Sequence, residues 1–124
     1  MKQRVKNISY LAKTDIDLST LKDNTYEAVA LPAGAEIMSI DLEVAEQAQA
    51  ATKLDIGLKN ANTHDTDFFA NDLDIQAKGY KKSSVVTTAK QAAQITLTFD
   101  TKPSAGRVVL RVVYFCPSEI MTEF

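Results

Sequence analysis

The residues of this chain that could do chemistry are few and crowd into one stretch. Between Asn60 and Asp74 the sequence NANTHDTDFFANDLD places Asp65, Asp67, Asp72 and Asp74 around His64, the one histidine. Closely spaced carboxylates are the ligands of hard cations, and an EF-hand loop would add a glycine at its sixth position and a glutamate at its twelfth. Neither stands in register here, so the cluster reads as a turn-rich surface loop that binds no structural cation. Zinc would need a second histidine or a nearby cysteine beside His64, and neither is present. Thr63 and Thr66 flank the histidine, but a nucleophile of the serine or cysteine kind with an oriented base does not emerge from this spacing. No enzymatic activity and no cofactor is expected.

Two smaller features carry reactive groups. Lys81 and Lys82 follow Tyr80 in a loop and could meet a phosphate or a partner's carboxylates, although a lysine pair on a loop is commonly a solvated tip. Cys116 has no cation closer in sequence than Arg111 and reads as a packed, unreactive thiol. A single cysteine allows no internal disulfide. There is no glycine-rich phosphate loop, no CxxC pair and no internal repeat.

Composition narrows the class. A chain of 124 residues is one domain by length and can bury roughly two thirds of its unfolded surface. The net charge of −2 and a pI near 5.3 supply no electrostatic reason to expect nucleic acid or an anionic membrane as a partner. The start MKQRVKNISY lacks the apolar core of a signal peptide, and no run of 18 apolar residues occurs. Synthesis in the cytoplasm without export is expected.

The elements that must position any site are strands. The strongest is RVVLRVVYF, Arg107 to Phe115, where Val108, Leu110, Val112 and Tyr114 fall on one face and Arg107, Val109, Arg111 and Val113 on the other. With Pro117 expected to end it, this strand organises the sheet. TYEAVAL at 25–31 is a strand closed by the turn Pro32-Ala33-Gly34. From Glu36 to Glu46, Met38, Ile40, Leu42 and Val44 alternate against Ser39, Asp41 and Glu43. Ala45 to Ala51 reads as a loop or a single turn. Leu54, Ile56 and Leu58 define another strand, with Phe68 and Phe69 anchoring the polar loop after it. Short strands follow at Leu73 to Ile75, at Val85 to Thr88 and at Gln94 to Asp100, the last leading through TKPSAG into the strand at 107–115. Seven or eight short strands, regular turn signals and no long helix indicate an all-β, antiparallel β-sandwich.

The outward set Val109, Val113 and Ile37 is too apolar for a face left wholly in water, so it is expected to contact another subunit together with Arg111. Residues 1–24 read as an extended basic arm and linker ahead of a sandwich domain at 25–124. Lys2, Arg4 and Lys6 would meet acidic groups of a partner. Ile8 and Tyr10 would lie along a strand added to a sheet edge. Ser19 to Lys22 could make one helical turn.

Four pieces taken in order resemble the pattern of small virion proteins of tailed bacteriophages: LPAGAEIMSIDLEV at 31–44, TKLDIGL at 52–58, FFANDLD at 68–74 and QITLTFDTKPSAGRVVLRVVYF at 94–115. The resemblance spans about two thirds of the chain, and the first 24 residues add an arm that the short forms lack. It implies a jelly-roll-like sandwich acting as a capsid cement (decoration) protein, commonly a homotrimer, on the outside of the virion and in contact with the major capsid protein. The alternative is a head-fibre or tail-associated sandwich that binds host-surface carbohydrate, which would need a cleft with aromatic and carboxylate groups.

Overall fold

The computed structural model describes residues 2–5, 8–48, 52–116 and 120–123. Eleven strands are found among them: β1 (Lys2–Val5), β2 (Ser9–Asp17), β3 (Thr25–Leu31), β4 (Glu36–Glu46), β5 (Lys53–Lys59), β6 (His64–Asp74), β7 (Gly79–Lys82), β8 (Thr87–Thr88), β9 (Ala93–Phe99), β10 (Arg107–Phe115) and β11 (Ile120–Glu123). One sheet runs β2-β10-β4-β7, with β8 also on β4, and the other runs β3-β9-β5-β6. All pairings within them are antiparallel. The chain passes between the two sheets at nearly every connection, and this order of strands is that of a jelly roll.

The alternation read from the sequence explains the layers. Val108, Leu110 and Val112 are fully buried and face Ile95, Leu97 and Phe99 of the other layer within one core cluster. As expected, β10 is central, paired to β2 along one side and to β4 along the other. Gly34 has a φ of 86°, which closes the Pro32-Ala33-Gly34 turn as its sequence requires.

Four expectations are corrected. The sandwich begins well before Thr25: β2 pairs with β10 over nine residues, from Asp17 opposite Arg107 to Ser9 opposite Phe115. Ile16, Leu18 and Leu21 are in the core. Ordered backbone and buried side chains therefore replace most of the proposed arm. Asp17 caps a single 3-10 turn at Leu18–Thr20, accepting from the Ser19 backbone N–H at 3.0 Å. The local side-chain bond is what the Asp-x-Ser spacing favours.

The stretch at 60–74 is mostly a strand rather than a loop. Only Asn60 to Thr63 turns, with the Asn60 side-chain oxygen accepting from the backbone N–H groups of Asn62 and Thr63. β6 then pairs irregularly with β5, because Ile56 opposes Ala70 while Leu58 opposes Asp65. Phe69 is buried and Phe68 packs on it edge-on, at 4.9 Å between ring centroids. Gly57 makes this approach possible, since a Cβ there would lie 2.4 Å from the Asp65 carbonyl oxygen.

A third correction lies in β4. Its register against β10 shifts between Val113 and Tyr114, so that Ser39 opposes Val113 and Ile37 opposes Tyr114, with Met38 unpaired between them. The bulge reverses the alternation at that point. Ile37 is fully buried and Met38 is 44% exposed, the opposite of the simple period-two reading. Finally, residues 45–46 belong to β4, whereas 49–51 lie outside the described residues, as does Pro117.

Candidate assembly surface

The outer face of the sheet β2-β10-β4-β7 is built in cross-strand rows. Asp17 opposes Arg107, Asp15 and Glu43 flank Val109, and Lys13 and Asp41 flank Arg111. Long charged side chains on neighbouring strands are within reach along these rows and their diagonals. Arg107 binds Asp15 at 2.7 Å, Arg111 binds Glu43 at 2.8 Å, and Lys82 approaches Asp41 at 3.7 Å. Val109, outside the core cluster yet only 3% exposed, is covered from this side by its own chain. Val109 and Ile37 are thus not surface apolar residues, and Arg111 already has an intramolecular carboxylate. Only Val113 of the expected outward set keeps part of its surface in water.

The other end of the same face has a different character. Leu11 opposes Val113, and Met38 stands in the bulge beside Ser39. Val86 directly precedes β8, whose Thr87 opposes Ile37. On the opposite side of the same strand ends, Tyr10 and Tyr114 lie with ring centroids 5.6 Å apart. The nearby Cys116 thiol, by charge and by hydrogen bonding, pushes the Tyr10 phenol above its ordinary value. The Cys116 backbone N–H donates to the Ile8 carbonyl at 2.8 Å, prolonging the β2-β10 ladder. Past that point β1 and β11 pair antiparallel, Lys2 opposite Glu123 and Val5 opposite Ile120. The first residues therefore find a strand partner in their own chain, with Lys2 at the same register position as an acidic residue. Lys6 lies outside the described residues. Ile8 and Tyr10 are 40% and 49% exposed, and Tyr10 sits in β2.

The residues singled out for chemistry are dispersed or engaged. His64 Nε2 is 3.0 Å from the hydroxyl of the buried Thr96. Asp65 hydrogen-bonds Asp67 and, with Asp55 nearby, raises its pKa. The Asp55 carboxylate accepts from the Asp72 backbone N–H at 2.7 Å. Among the described residues no three His, Cys, Asp or Glu side chains converge as metal ligands. A shallow cleft of about 420 Å³ is lined by Thr20 to Asp23 and Thr25 to Glu27. Its one aromatic ring is Tyr26, and the Glu27 carboxylate in it is held by Lys59 at 2.8 Å. Sequence reasoning missed Leu11, Met38 and Val86 as surface residues. Leu11 was legible as part of a short alternating piece, whereas the bulge hid Met38.

No protein-family model and no curated protein matches the chain. Solved structures are. A chain in the capsid of Ralstonia phage GP4 has a TM-score of 0.67 at 17% identity, covering 92% of this chain and 88% of that one. One in the cyanophage Pam1 capsid has a TM-score of 0.61 at 12% identity, over 88% and 85%. At that identity both share the fold. A chain in the acid-stable capsid of Helicobacter pylori bacteriophage KHP30 is 32% identical over the whole of both chains, with a TM-score of 0.82. Full-length identity at that level, with the same fold, places this chain in the family of that KHP30 capsid protein: it is a small phage capsid protein.

Proposed function

We propose that this protein binds the outside of a bacteriophage shell as a cement protein and stabilises it by bridging neighbouring major capsid protein subunits. The observation that supports this most is the full-length, 32% identity to a chain of the KHP30 capsid. A compact jelly roll of 124 residues, whose candidate chemical groups are tied up in structural contacts, suits a part that acts by contact. The protein works as a homotrimer, and the ribbon of β1 and β11 makes contact with the shell, with Lys2, Arg4 and Lys6 meeting acidic groups there. Adding the edge of such a ribbon to another sheet supplies main-chain hydrogen bonds whatever the side chains.

The carbohydrate-binding alternative has the cleft at Tyr26 in its favour. A single aromatic ring and a carboxylate already bound to Lys59 make a poor sugar platform, so the structural role is preferred.

Co-sedimentation with emptied shells of the phage that encodes the chain tests the proposal. Binding that saturates at a fixed ratio to the major capsid protein, and shells that survive heating longer when decorated, are expected. Absence of the chain from shells that were offered an excess of it overturns the cement role.

A further inference from the structure

Among the described residues seven large hydrophobics are exposed: Ile8, Tyr10, Leu11, Tyr26, Met38, Tyr80 and Val86. Five of them, all but Tyr26 and Tyr80, lie at the one end of the β2-β10-β4 sheet where β2 begins and β10 ends. Leu11, Val113, Met38 and Val86 follow one another across the strands in a single row. The ion pairs that cover Val109 at the other end have no counterpart in this row among the described residues.

We propose that this apolar end of the sheet is the contact between copies of the chain. Permanent contacts between identical subunits are more apolar than contacts made and broken on a formed surface. A protein that joins a separately assembled shell must first exist in water, where an apolar patch open to solvent is an aggregation hazard. A second copy covers the patch throughout that time, and the shell cannot. Charge selects the same occupant: a row without charged side chains offers nothing to an acidic or basic partner, but it complements itself. Subunits that meet here around a rotation axis bury the row in a closed assembly.

The contact takes its biological setting from the capsid reading, but it is tested without shells. Sedimentation equilibrium at micromolar concentration should return a multiple of the 13.6 kDa chain mass, three times it for the trimer. Leu11→Asp and Val86→Asp, at positions 60% and 57% exposed, should each weaken association by roughly tenfold or more, about 1.4 kcal/mol. Together they should yield a monomer with unchanged far-ultraviolet circular dichroism. Tyr80→Ser, off the patch, should leave the mass unaltered. If Leu11→Asp disturbs β2, Val86→Asp decides alone, because it lies outside the strands. A monomeric wild type, an oligomer that survives both substitutions, or equal dissociation by Tyr80→Ser overturns the proposal. An oligomer that dissociates as described yet ignores shells would sink the cement role and leave this contact standing.

Discussion

Replacing Ile16 by alanine tests where the folded domain begins. Ile16 is 4% exposed, stands opposite Val108 in the β2-β10 ladder and belongs to the core cluster. Removing a buried isoleucine side chain down to Cβ costs about 2–5 kcal/mol, the spread reflecting how far the site can close. β2 is an edge strand and can shift inward, so a value of about 3 kcal/mol is expected. For a domain of this length each kcal/mol lowers Tm by about 3–5 °C, which makes the loss roughly 10 °C or somewhat more. Thermal unfolding should be followed by circular dichroism at one fixed protein concentration, because self-association makes Tm concentration-dependent. Lys13→Ala, on the outer side of the same strand, should change stability by less than about 0.5 kcal/mol. A chain starting at Ser9 should melt close to the full chain. One starting at Thr25 should not fold, since it exposes the whole β2 edge of β10 and deletes Ile16, Leu18 and Leu21. If Ile16→Ala moves Tm by less than about 2 °C, or if the chain from Thr25 melts cooperatively, the packing argument for β2 is wrong and residues 1–24 are an appendage after all.

Three further outcomes are expected. Gly57→Ala forces a Cβ to within 2.4 Å of the Asp65 carbonyl oxygen and 2.6 Å of that of Thr66; it should cost about 1–3 kcal/mol or more in a urea titration, and a neutral result would show that β6 is free to move off β5. In acid, Asp100 accepts the Lys53 backbone N–H and the Thr52 hydroxyl, which hold its carboxyl below the ordinary 3.8. Its stabilisation is therefore present above that pH and lost as pH falls through the lower folded value, with Asp17 and Glu27 acting in the same sense. Asp67 runs the other way, because the Asp65 carboxyl raises it, so its ionisation opposes folding as pH rises through the folded value. At neutral pH Asp67→Asn should raise Tm and Asp100→Asn should lower it; changes of the opposite sign would contradict these assignments. Calcium and a chelator should give superimposable melting curves, and a rise of several degrees in calcium would reveal a carboxylate site on β6.

The sequence by itself determined the class of fold and the central element. Period-two alternation is a local property, so Val108, Leu110 and Val112 reveal their inward face, and Pro32 and Gly34 their turn, without reference to distant residues. The jelly-roll resemblance carried by the spacing of 31–44, 52–58, 68–74 and 94–115 was legible for the same reason, since strand length and turn chemistry are written along the chain. Tertiary structure alone decided the rest. The bulge opposite Val113 and Tyr114 exists only when β4 lies against β10, and it exchanged the roles of Ile37 and Met38. Val109 is buried because Arg107 and Arg111 find Asp15 and Glu43 on two other strands, partners 92 and 68 positions away. Basic residues near the start suggested an extended arm reaching for a partner, whereas the β10 edge of the same chain captured Ser9–Asp17 as a strand, its nine ladder positions and the burial of Ile16 outweighing the freedom of a loose segment. Aspartates and asparagines favour turns when only near neighbours are counted. At 64–74 the anchoring of Phe69 and the close approach allowed by Gly57 made a strand of them instead.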